Sequence, residues 1–179
     1  MDPKNLKLDL YLREIELSER VQELGEEISK KFTGTDPLMI SVLSGAFIFT
    51  SDLIRNIDIP HELSFTQVKS YQGTTPGPDI EFPMGINGDI KDRDVILVED
   101  IVDSGRTLNF LMEKVNGKNP KSVSVVSLLW KPNKYAYDHK IDFVGFSIPD
   151  IFVVGYGMDY NGYGRNLKDI HILNHNKLQ

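Results

Sequence analysis

The stretch VILVEDIVDSGRTL, Val95 to Leu108, decides how this chain is read. A short aliphatic run ends in two adjacent acids, Glu99 and Asp100, and Asp103-Ser104-Gly105-Arg106-Thr107 follows at once. Beyond it Leu108, Leu111, Met112 and Val115 recur at helical spacing until Gly117 and Pro120 stop the pattern. An unbroken aliphatic run, a polar turn and an amphipathic helix together predict a buried strand feeding a helix.

Working outward, the same order recurs. LMISVLSG, Leu38 to Gly45, reads as a strand ending at a glycine, and FIFTSDLIRNI offers Phe47, Phe49, Leu53, Ile54 and Ile57 to a packed helix. HELSFTQVKSY alternates as a strand ending near Tyr71, and KSVSVVSLLW, DFVGFSI and FVVGY supply three more. A helix over Ser18 to Phe32, with Ser18 as its N-cap, carries Val21, Leu24, Ile28 and Phe32 on one stripe. Strands alternating with helices predict an α/β fold, a doubly wound and mainly parallel sheet with helices on both faces. The polar run Gln72 to Asp79, QGTTPGPD, either connects two elements or covers something.

Composition narrows the function. At 179 residues the expectation is a single domain over 1–179. No apolar run reaches the roughly 18 residues that span a bilayer, and MDPKNLKLDL lacks the pattern of a signal peptide. A cytoplasmic protein without a membrane partner is expected. The chain has no cysteine, which excludes disulfides, thiolate nucleophiles and zinc–thiolate sites. A net charge of -6 argues against a nucleic-acid partner. His61, His139, His171 and His175 show no ligand spacing, and the last two fall in a polar end expected to fray.

In an open parallel sheet, ligands bind at the carboxyl ends of the strands, and the turn into the next helix cradles phosphate. Ser104 and Thr107 offer hydroxyls, Gly105 admits close backbone approach, and Arg106 adds a cation. Neither the P-loop spacing nor the dinucleotide fingerprint is present. Acids beside a phosphate cradle are explained if they face sugar hydroxyls, a cation or a proton to be removed, which points to a phosphorylated sugar. The alternative leaves Glu99 and Asp100 solvated at a strand end and makes Asp103 a helix N-cap.

Val-Glu-Asp-Ile-Val-Asp-Ser-Gly-Arg-Thr resembles the signature with which type I phosphoribosyltransferases bind 5-phosphoribosyl 1-diphosphate. SVLSGAFIF, KSYQGTTPG, LLWKP and DFVGFSIPDIFVVGYGMDYNGYGRNL resemble, in order, segments of the hypoxanthine-guanine phosphoribosyltransferases, so the likeness runs from about Leu12 to His171. The resemblance implies the fold of that family, with a small hood formed by the termini. It also implies purine salvage: transfer of 5-phosphoribosyl to N9 of hypoxanthine or guanine, giving the nucleoside monophosphate and pyrophosphate.

By the same resemblance, Glu99 and Asp100 hold the ribose hydroxyls, and Asp103, Ser104, Gly105, Arg106 and Thr107 wrap the 5-phosphate. Asp103 also faces N7 of the purine as general base. Lys131 donates to the 6-oxo group, which disfavours adenine because an ammonium only donates; its plain alternative is a surface lysine snorkelling past Leu129 and Trp130. Phe152 stacks on the base while the Val153 backbone reads its edge. Period-two alternation points these two side chains to opposite faces. Asp159 ligates Mg2+ and Arg165 meets the departing pyrophosphate; read singly, the two make a surface ion pair. Ser70 and Tyr71 belong to a lid that excludes water, or else to a plain surface loop.

Ser44-Gly45 stands where many relatives carry a cation before the glycine, and the resemblance implies a cis peptide at this pair. Arg106 replaces a lysine seen in some relatives. The family implies a homo-oligomer, dimer or tetramer, with LSGAFIF and YAYDHKIDFVGF as interface or as core. A xanthine-preferring transferase and a nucleic-acid-binding regulator that senses the sugar phosphate are the competing readings.

Overall fold

Asp94 to Val102 forms a strand that lies at the centre of the main sheet. The computed structural model describes residues 7–70 and 80–173. In chain order the elements are β1 (Leu8–Leu12), α1 (Glu14–Lys31), β2 (Leu38–Leu43), α2 (Phe47–Ile54), β3 (Glu62–Ser70) and β4 (Ile80–Met84). There follow β5 (Asp94–Val102), α3 (Arg106–Asn116), β6 (Ser122–Trp130), β7 (Phe143–Ser147), β8 (Val153–Val154) and β9 (Ile170–Leu173).

Among the described residues the larger sheet has the order β4-β3-β2-β5-β6-β7. Its strands run parallel except β4, which pairs antiparallel with β3. The chain builds outward from β2 through β3 to β4, then returns to β5 on the other side of β2. That reversal creates a crevice at the carboxyl ends of β2 and β5, the place where such sheets take ligands.

Alternating residues of β2 and β5 face opposite layers. Met39, Ile96 and Val98 pack under α1 and α2 with Leu17, Val21, Leu24, Ile28, Phe49 and Leu53. Ile40, Val42, Val95 and Leu97 pack against Leu108, Leu111 and Val115 of α3. Helices therefore cover both faces, which is why the central strands are aliphatic throughout. Burying each of these side chains contributes about 1.5–3 kcal/mol relative to exposure.

Some boundaries differ from the sequence reading. α1 opens at Glu14 because Arg13 N donates to Glu16 Oε2 at 3.1 Å and Glu14 N donates to Asp169 Oδ1 at 2.7 Å. Ser18 is thus inside the helix and does not cap it. β4 is an edge strand, which accommodates Pro83. β1, β9 and β8 form a separate antiparallel sheet, the expected hood of the terminal segments. His171 lies in β9, paired with Leu10 and Val154, so it is not part of a fraying end; His175 falls outside the described residues. Among the described residues no helix is long and apolar enough to cross a membrane.

Candidate active site

The carboxyl ends of β2, β5 and β6 open into a cavity of about 760 Å³. β5 delivers Glu99 and Asp100 to its floor. Glu99 is 4% exposed, and burial, with Asp100 next to it, pushes its carboxyl well above the usual range. Burial likewise raises Asp100 to about 6, although its own backbone, the Ile101 N–H and Arg165 favour the ionised form. Asp100 Oδ1 accepts from Ile101 N at 2.9 Å. The two acids are thus held inward at the cavity floor. The reading that leaves them solvated at a strand end does not hold.

Asp103 does not cap α3. The N-cap is Gly105, at φ 85°, with no side-chain cap hydrogen bond. A Cβ at Gly105 would overlap the Tyr135 ring and come within 2.9 Å of Tyr137, so the loop closes under these aromatics only with glycine there. Ala136 N donates to Ser104 O at 3.2 Å and ties the same segment to the loop. Ser104, Gly105, Arg106 and Thr107 line the cavity at the start of α3, where backbone amides and the helix dipole suit an anion.

Released from capping, the Asp103 carboxylate meets two lysines. Lys131 Nζ donates to Asp103 Oδ2 at 3.0 Å and to Asp150 Oδ1 at 3.1 Å. Its side chain is 6% exposed, so it is not a snorkelling surface lysine. Lys134 Nζ stands 3.0 Å from Asp103 Oδ1 and donates to Oδ2 at 3.3 Å and to Asp150 Oδ1 at 3.2 Å. The hydrogen bond it donates to Asp103, ahead of the one it donates to Asp150, raises Lys134, while Lys131 and then Lys134 hold Asp150 below the usual carboxylate range. Lys134 and Asp150 were not legible as site residues: their partners lie across loops with no periodic pattern.

Across the cavity Arg165 pairs with Asp159 at 2.6 Å and donates to Gly157 O at 2.7 Å. Asp159 also accepts from Gly162 N at 2.6 Å, which shapes the turn that presents it. Ser44 and Gly45 line the cavity after β2, and the cis bond is Leu43–Ser44, one bond earlier than the expected pair. A Cβ at Gly45 would overlap Asp100 Oδ2, so glycine lets the two strand ends converge. Phe152 is 45% exposed in the cavity wall and meets Tyr160 edge-on at 5.8 Å, whereas Val153 is 6% exposed in the core, as alternation requires. Thus every site residue expected from sequence converges here except the lid pair: Tyr71 lies outside the described residues, as does the Ser70 side chain.

The model of the phosphoribosyl transferase domain matches residues 11–161. The hypoxanthine-guanine phosphoribosyltransferase of Bacillus subtilis is 42% identical over 165 residues, 92% of each chain. The chain belongs to the hypoxanthine phosphoribosyltransferase family. A crystal structure of the Staphylococcus aureus hypoxanthine phosphoribosyltransferase superposes with a TM-score of 0.89 at 34% identity, covering 98% of this chain and 96% of that one. The bifunctional protein TilS/HprT of Listeria monocytogenes is 41% identical over 165 residues, and the match spans 26% of that longer protein. Asp103, Lys131 and Phe152 line this cavity together with Asp159, Arg165 and Gly45.

Proposed function

We infer that this chain, one phosphoribosyltransferase domain over residues 1–179, transfers 5-phosphoribosyl from 5-phosphoribosyl 1-diphosphate to N9 of hypoxanthine, and of guanine. The products are the nucleoside monophosphate and pyrophosphate. The observation that carries this reading is the 3.0 Å contact between Lys131 and Asp103 at the cavity wall beside Phe152. O6 and N7 are neighbours on one edge of a 6-oxopurine, so a donor and a carboxylate side by side match that edge atom for atom.

N9 attacks the anomeric carbon as the bond to the diphosphate oxygen breaks, with inversion. Asp103 accepts the proton at N7, and Lys131 stabilises the charge that develops on O6. Glu99 and Asp100 take the ribose hydroxyls. The 104–107 loop holds the 5-phosphate, and Arg165 meets the leaving group. A Ser70–Tyr71 lid excludes water from the oxocarbenium-like carbon.

Mg2+ fits the donor set. Asp159 is a carboxylate in the cavity lining, the kind of single protein ligand that Mg2+ takes together with substrate phosphates. Asp159 would hold it, and the ion would supply charge neutralisation at the diphosphate. Assembly as a homo-oligomer, dimer or tetramer, is part of the same proposal.

The test measures nucleotide formation with hypoxanthine, guanine, xanthine, adenine and uracil, in parent and Asp103→Asn. Turnover of hypoxanthine or guanine that collapses in the variant supports the assignment. Binding of the sugar diphosphate without turnover of any base would replace it with a sensor.

A further inference from the structure

Asp103, Lys131, Lys134 and Asp150 form a closed ring of alternating charge, and two of its members, Lys134 and Asp150, have no part in the mechanism above. Lys131 and Lys134 sit on a single turn: Lys131 N donates to Val102 O at 3.0 Å, and Lys134 N donates to Lys131 O at 3.1 Å. The turn is therefore anchored to the end of β5 that carries Asp103. Both ammoniums reach the same two carboxylates, yet their settings differ. The Lys131 side chain is 6% exposed; that of Lys134 is 39% exposed and lines the cavity wall.

We propose that Lys134 is a positioning residue for the transfer: it holds the Asp103 carboxylate toward the purine once Lys131 has turned a donor to the 6-oxo group. This rests on the function proposed above. In the free protein Asp103 Oδ2 accepts from both lysines, while Oδ1 lies 3.0 Å from Lys134 Nζ as an ion pair and takes no hydrogen bond among the described residues. An ammonium has three donors, and Lys131 already spends one on Asp150. When O6 takes another, the third is left for Asp103, and all three acceptors must then be met from one Nζ position. Lys134 makes no such compromise, because its two partners are Asp103 and Asp150. It therefore keeps the carboxylate plane fixed through the step in which the proton moves, and Asp150 keeps both lysines on the correct side of the cavity.

The inference separates from a merely structural one by which constants move. With Lys134→Met, which keeps the stem and removes the charge, kcat for hypoxanthine falls about tenfold because the general base is less well oriented. The KM for hypoxanthine changes less than about threefold, since Lys131 and Phe152 still bind the base. The KM for 5-phosphoribosyl 1-diphosphate is unchanged, and Lys134→Arg restores kcat. The melting temperature of all three proteins is recorded alongside. Parental kcat in Lys134→Met overturns the proposal, as does loss of kcat that Lys134→Arg does not rescue, or a parallel rise in both KM values. If the parent itself forms no nucleotide, the underlying function is what fails.

Discussion

Gly157 and Gly45 meet backbone to backbone: a Cβ at Gly157 would overlap the Gly45 carbonyl oxygen. The contact joins the loop after β2 to the loop that carries Asp159 and Arg165, so one glycine pair sets how these two loops meet. Gly157 is also at φ 99°. Gly157→Ala is expected to lose about 2–3 kcal/mol, from left-handed strain and displaced backbone together. Gly162→Ala is the control, at φ 85° with nothing near its Cβ, and loses only about 1 kcal/mol. Urea unfolding of both variants separates overlap from strain, and equal losses would rule the overlap out.

Asp100 makes stability depend on pH in a defined direction. Its folded value, raised from 3.8 to about 6, means the native state prefers the protonated acid. The contribution is complete below the unfolded value and is lost as pH rises through 6. Two units correspond to about 3 kcal/mol at most, and the partial solvent contact of Asp100 reduces this to about 1–2 kcal/mol. Asp100→Asn is therefore expected to be more stable than the parent at pH 8 and to bind the sugar diphosphate less well. Unfolding curves at pH 5 and pH 8 check this; identical pH slopes in parent and variant would contradict it.

What the sequence made legible follows the range of its signals. The aliphatic runs of β2, β5 and β6 announce buried strands because both faces are covered, and the loop after β5 carries its chemistry within a few consecutive residues. The hood was implied only by resemblance, since β1 and β9 are short and pair across most of the chain. Ser18 looked like a cap because it precedes the apolar stripe, but Asp169, far away in sequence, lets the helix start earlier. Lys134 and Asp150 carry no local signature: their meaning comes from Asp103, which only the fold brings to them.

Base selectivity should follow the acceptor capacity at residue 131. Lys131 is 5% exposed and only donates, so a 6-amino group facing it leaves buried donors opposed. Lys131→Gln offers both a donor and an acceptor. The expected result is a fall of about 30-fold in kcat/KM for hypoxanthine and a rise of about tenfold in the adenine-to-hypoxanthine ratio. Competition assays with both bases present read the ratio directly, and an unchanged ratio would remove Lys131 from the selection of the base.

Beneath the loop of Asp159 and Arg165, Tyr156 Oη donates to Asp52 Oδ2 at 2.6 Å. Burial, then this bond, raises the tyrosine far above its usual value, so the donor stays protonated at any working pH. The bond ties α2, which follows Ser44 and Gly45, to the loop presenting Asp159 and Arg165. Because its acceptor is charged, losing it through Tyr156→Phe is expected to destabilise by about 1.5–3 kcal/mol. Asp52→Asn weakens the same bond, and the double variant should cost less than the sum, with a coupling of about 1 kcal/mol. In activity, the KM for 5-phosphoribosyl 1-diphosphate should rise while that for hypoxanthine stays put, since the bond supports the loop of Asp159 and Arg165 and involves none of Asp103, Lys131 and Phe152. A cycle with no coupling, or a change confined to the base, would show that the two loops are positioned independently of this bond.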